Sequence, residues 1–312
     1  MRQRGLSLVE LLVATALGLL LLAGVIQVVL SSKRSYQASV ALAELQETGR
    51  FALEAMAQDL RSAGFTGACP GGLVNACGAE GALFALEQSG IEGYAPGMSA
   101  AAWVPSGRLA NTDALLLRLA SGSTVETKSI AGNRLTLAAG SVVAAGAVYL
   151  LSDQQSCLLM RNAGNASSLL ADRSLEHFLA PATRVYPYRY AIYWVRRNDD
   201  GTTGLFVTEN SDNLDKQTSE LVTGVAGMSL RYGVAGANSE VVSTYKAARE
   251  MAAGDWPRVR TVRVSLLLQS QARDVDEAPT SLAFDGRTLA PNPERRLRLV
   301  MGSTIALRNL PP

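Results

Sequence analysis

The sequence predicts an α+β fold in which one long N-terminal helix leads into a β-rich domain. Three observations carry this. The opening is apolar and proline-free, and a stripe of apolar residues at three- and four-residue spacing follows it. From about residue 108, short β-branched and aromatic runs alternate with Gly, Asn and Asp turns. At 312 residues the chain can bury a sizeable core, and 48% apolar against 18% charged residues fits a folded protein.

The helix comes first. Residues 1–5 are short and basic, with Arg2 and Arg4, and the segment 6–30 is apolar apart from Glu10. It makes roughly 37 Å of helix, enough to cross a bilayer, with its basic end held on the cytoplasmic side. A secretory signal peptide would place a small-x-small cleavage site behind its apolar core. Here Ala16 and Gly18 lie inside the core, and helix-forming sequence continues unbroken. Glu10 argues against a plain signal anchor. A carboxylate costs about 2.5–3.5 kcal/mol near the centre of a span and less toward its end, and an ordinary anchor has no use for one. No proline occurs before Pro70. Leu42, Leu45, Gly49, Leu53, Met56 and Leu60 form the stripe, while Glu44, Glu47, Arg50, Glu54, Gln58 and Asp59 lie mostly off it. Gly64 supplies a C-cap. One continuous helix from Leu6 to Ala63 follows, with 6–30 in lipid and 31–63 amphipathic.

Residues 64–107 read as an irregular connecting loop, with Pro70, Pro96 and Pro105 and a short helix around Ala82–Gln88. The segment 108–312 reads as the β-rich domain. Its expected strands are 113–120, 124–130, 134–138, 147–152, 156–161, 183–197, 205–208, 224–232, 259–271 and 297–309, several of them joined by turn-like residues. Val241–Met251 reads as a short helix. On strand 183–197, parity places Tyr186, Tyr188, Tyr190 and Trp194 on one face and Tyr193 on the other. That pattern is read as sheet packing, with Pro187 suggesting an edge or a break.

Composition and motifs exclude several chemistries. Lys+Arg is 29 against Asp+Glu 27, so the chain has no general attraction to nucleic acid. His177 is the only histidine, and there is no CxxC pair, phosphate-binding glycine loop or G-x-S-x-G, so no catalytic residue, metal site or cofactor is assigned. The Asx-rich runs 198–201 and 210–215 lack EF-hand spacing and read as hairpin turns. Of the three cysteines, Cys69 and Cys77 flank a short Pro- and Gly-containing loop and form the disulfide candidate. Cys157 is then left over, and its pairing with either of the others stays open.

Arg4-Gly5 followed by Leu6-Ser7-Leu8-Val9-Glu10-Leu11-Leu12-Val13-Ala14 resembles the type IV pilin family and its prepilin (class III) leader. The resemblance implies cleavage after Gly5 by a prepilin peptidase and N-methylation of Leu6, where the family usually has Phe. It also implies that Glu10 compensates the N-terminal amine of a neighbouring subunit. Shaft pilins carry a proline where this chain has Gln27, which favours a minor pilin or pseudopilin. Within the family, the chain is similar to the PilW-type minor pilins. The shared residues are Gly49-Arg50-Phe51-Ala52-Leu53, Asp59-Leu60-Arg61, Gly64-Phe65-Thr66-Gly67, Asp113-x-Leu115-x-x-Arg118, Asp255-Trp256-Pro257-Arg258 and the C-terminal Thr304–Asn309.

The resemblance implies a pilin-like fold, a spine helix packed on an antiparallel sheet. It implies a non-enzymatic subunit anchored once in the inner membrane, domain in the periplasm, before it enters the pilus (fimbrium). The expected role is pilus assembly and initiation, with pilus-dependent (twitching) motility or adhesion. The implied partners are the peptidase, other minor pilins, the major pilin, the assembly platform and a tip adhesin, with no nucleic acid. The alternatives are a minor pseudopilin of a type II secretion system, or a membrane-anchored periplasmic enzyme or adhesin.

Overall fold

The structure, a computed structural model, describes residues 8–67, 69, 72–77, 81–120, 124–153, 155–180, 182–210, 216–236, 239–276 and 278–309. Helix α1 runs unbroken over Leu8–Ser62, with no proline to remove a rung of its hydrogen-bond ladder. It stops where Gly64 turns left-handed at φ 78° and the chain opens into a bridge between Ala63 and Leu119.

Seventeen strands follow among the described residues. The first eight are β1 (Leu73–Asn75), β2 (Ile91–Tyr94), β3 (Ala114–Ala120), β4 (Val125–Ala131), β5 (Arg134–Leu137), β6 (Val148–Ser152), β7 (Cys157–Arg161) and β8 (Ser168–Leu170). Then come β9 (Arg184–Arg197), β10 (Thr203–Asn210), β11 (Lys216–Thr223), β12 (Val225–Ala235) and β13 (Val242–Lys246). The chain closes with β14 (Val259–Gln269), β15 (Leu282–Phe284), β16 (Arg287–Leu289) and β17 (Arg298–Ala306).

Strand β9 organises the large sheet: β6 and β4 pair with its first residues, β3 and β10 with the rest, and β2 and β11 extend outward from these. A second sheet has the order β13-β12-β14-β17, and β15 and β16 form a separate hairpin. Among the described residues the strands pair antiparallel except β1 with β7. Between the two sheets lies the principal core. Leu45, Leu53, Met56 and Leu60 of α1 meet Leu115, Leu117, Tyr193 and Val195 of the large sheet and Val262, Val264, Leu266 and Leu268 of the small one. The alternation of β9 holds across Pro187. Tyr188, Tyr190 and Trp194 enter a second cluster on the far face, with Tyr186 partly buried against it, and Tyr193 faces the helix. Pro187 marks neither an edge nor a break. It falls at the joint between the residues of β9 that pair with β6, up to Pro187, and those that pair with β3, from Tyr188 onward.

Three expectations need correction. The 64–107 segment is not a bare loop: it supplies β1 and β2, and its Phe84, Leu86 and Trp103 cover the outer face of the large sheet. A 3-10 turn over Gly81–Phe84 replaces the helix expected around Ala82–Gln88, because Phe84, Ala85 and Leu86 are buried in succession and share no single helical face. The helix expected over Val241–Met251 is strand β13 followed by a 3-10 turn at Ala248–Glu250. There the open edge of β12 outweighs a weak local preference in a segment containing Val242, Thr244 and Tyr245. On α1 itself, Leu42 is 39% exposed and Ala41 takes its place in the buried stripe.

Candidate assembly surface

The free part of α1 is apolar on every side. Leu8, Leu20, Leu21 and Val28 are all at least two-thirds exposed, and no part of the most apolar window is buried. Over residues 8–32 the only charged side chain is Glu10. No described residue bonds its carboxylate. The one hydroxyl in the middle of the span is satisfied internally, since Thr15 donates within 3.0 Å of the Leu11 and Leu12 carbonyls. A charge left alone on an apolar helix calls for a partner brought by another molecule. The other two residues expected to matter there, Gly5 and Leu6, lie outside the described residues. Past the span, exposed Tyr36, Val40 and Phe51 fall within about 60° of one another around the helix, so the apolar surface continues along one side of the water-facing half. The sequence stripe drew attention to the buried side, and this outer row was missed. Phe51 among charged neighbours was its one available signal.

The spine is fixed to the domain at its far end. Asp59 accepts from Arg189 at 2.5 Å and from the Tyr193 hydroxyl at 2.7 Å, and Arg189 also pairs with Glu209. Burial, with Asp59 alongside, holds the Tyr193 phenol well above its ordinary range, so it remains a donor. Asn309 closes the helix terminus from the other end of the chain, donating to the Arg61 carbonyl at 3.1 Å.

The residues that suggested PilW-type relatives are joints of the same kind. The buried Asp113 carboxylate accepts the Leu230 amide at 2.7 Å, tying the two sheets together. Arg118, 2% exposed, donates to the Ser89 carbonyl at 2.9 Å and to Glu92 at 2.6 Å, pinning the 64–107 segment. Asp255 holds Lys246 and Arg258 at 2.7 and 2.6 Å, while Trp256 packs edge-on to Tyr232.

The disulfide differs from the expected pairing. Cys69 bonds Cys157, with Cα atoms 5.6 Å apart, and Cys77 is buried outside the bridge. Strand β1 lies beside β7 with Leu73 opposite Cys157, so sheet pairing brings Cys69 to a partner 88 residues away. His177 is exposed and stacks on Phe178. Among the described residues no group of His, Cys, Asp and Glu is placed to hold a metal.

Comparison with known families adds two matches. Residues 1–26 match the prokaryotic N-terminal methylation motif, and residues 192–309 match type IV pilus-assembly protein W. No curated protein and no solved structure matches the chain. The first match covers most of the bare helix with Glu10, and the second covers the small sheet and the part of the large sheet from Ile192 onward. Together the two matches support a type IV pilus minor pilin of the PilW type.

Proposed function

We propose that this subunit takes part in assembling and initiating the pilus, and thereby in pilus-dependent motility or adhesion. The observation that carries the reading is the wholly exposed apolar stretch of α1, residues 8–30, with one carboxylate that no described residue bonds. In lipid the helix spans the inner membrane once, with the β-rich domain on the periplasmic side. Cleavage after Gly5 leaves Leu6 as the new, N-methylated terminus. The Glu10 carboxylate then neutralises the terminal ammonium of a neighbouring subunit, and the two charges are tolerated in lipid only together. Other minor pilins, the major pilin, the assembly platform and a tip adhesin are the partners of this process. The work is packing and not turnover.

Glu10→Ala in the full chain tests the role of the carboxylate. N-terminal mass analysis is expected to find cleavage after Gly5 and methylated Leu6, while the amount of subunit in sheared pili falls at least about tenfold, the equivalent of about 1.4 kcal/mol. Normal incorporation of the variant would overturn charge compensation, and an intact Met1 in the unmutated chain would overturn processing.

A further inference from the structure

Most sheet edges in this molecule are short or blunted. Strands β1 and β8 have three residues, β2 four and β13 five. Strand β11 has eight, but it is interrupted by a register shift and carries exposed Lys216 and Glu220. Strand β17 is different. Its nine residues pair with β14 without a register shift and contain no Pro, no Lys and one charge, Arg298, at the first position.

Its free side can be identified residue by residue. The Leu307 amide donates to the Arg260 carbonyl and the Ser270 amide to the Leu297 carbonyl, both at 2.9 Å, so the odd-numbered residues of β17 face β14. The N–H and C=O groups of Arg298, Val300, Gly302, Thr304 and Ala306 therefore point away from the sheet. No backbone group of the described chain bonds them. Gly302, Thr304 and Ala306 are exposed. Helix α1 covers the inner face of β17 and leaves the edge open: a Cβ at Gly49 would meet Met301 Sδ at 2.5 Å and Leu268 Cδ1 at 2.6 Å.

We propose that this edge takes an extended strand from a different subunit of the pilus. A row of unpaired amides and carbonyls selects an extended backbone as its occupant. The strand runs beside the spine and in the same direction, since Met301 lies at Gly49 and Asn309 at the helix end. Whatever packs on the exposed side of the spine is within reach of the edge. A second copy of this chain paired antiparallel does not fit. Two identical edges that pair antiparallel do so through a twofold axis perpendicular to the strands, which would set one spine upside down relative to the other in the same membrane. The inference rests on the assembly reading above.

The experiment uses the full chain, compared in detergent and in assembled pili. Residue-resolved hydrogen exchange is expected to slow at Val300, Gly302 and Thr304 by about 100-fold on assembly. Val300→Pro removes one outward N–H without touching the β14 ladder. It is expected to lower incorporation about tenfold, while Val300→Thr incorporates normally. A photo-cross-linking residue at Thr304 identifies the donor, expected to be another subunit with the methylation motif. Unchanged exchange at the edge in pili that contain the chain would overturn the proposal while leaving the Glu10 reading intact. A cross-link to a second copy, or to a protein outside the pilus, would overturn it too. The exchange measurement needs no variant and decides the matter even where Val300→Pro misfolds.

Discussion

Asp113 is buried at the seam of the two sheets, where its carboxylate accepts the Leu230 amide. Burial pushes its pKa up to about 6, with Asp285 adding to the rise and the Leu230 amide opposing it. The sign follows from linkage. Between about pH 4 and 6 the unfolded chain has released this proton and the folded chain retains it, so stability falls as pH rises through that window. Asp113→Asn keeps an acceptor for Leu230 and removes the titration. Denaturation midpoints of the variant are expected to lose this downward slope between pH 4 and 6 and to match or exceed the parent at pH 7. A variant with the parent's slope would show that another group sets it. Asp113 was visible in the sequence only as the first residue of a strand motif. Its partner lies 117 residues away, and no spacing rule reaches that far.

The spine helix depends on how it ends as well as on how it is packed. Gly64 has φ 78°, and a Cβ there would stand 2.5 Å from the Asn309 carbonyl oxygen. Gly64→Ala is therefore expected to cost more than the ~1 kcal/mol of a left-handed alanine. Asn309→Ala, which removes only the side-chain cap bonds to the Arg61 and Ala63 carbonyls, should cost about 0.5–1.5 kcal/mol. Thermal or denaturant unfolding of the full chain in detergent checks the order, and an Asn309→Ala cost above that of Gly64→Ala would contradict it. Helix, cap and apolar stripe were legible because a 3.6-residue period and a glycine stop are local signals. Strand β13 was not. Its preference is weak, and it is a strand because β12 offers an edge.

At the scale of the whole molecule, the bridge between Cys69 and Cys157 closes a loop of 88 residues and ties the start of the 64–107 segment to β7. Constraining so long a loop contributes about 2–4 kcal/mol. Cys157→Ser should lose that amount in chemical denaturation, whereas Cys77→Ser keeps the bridge and should lose about 1 kcal/mol or less. Equal losses, or a Cys69–Cys77 peptide in a non-reducing digest, would refute the connectivity. The short loop between Cys69 and Cys77 made the wrong pair attractive, because nearness in sequence was the only distance available.

The sequence by itself determined the long helix, the apolar span with its single carboxylate, and the existence of a β-rich domain behind them. Those features are written in local periods and in the cost of one charge among apolar residues. Tertiary structure alone decided which cysteine meets Cys69, how the 64–107 segment covers the large sheet, how Asp113 and Asn309 join distant parts, and that β17 keeps a free edge beside the spine. Each of these depends on strand pairing between residues far apart in the chain, and pairing is a property of the assembled sheets, which no single segment contains.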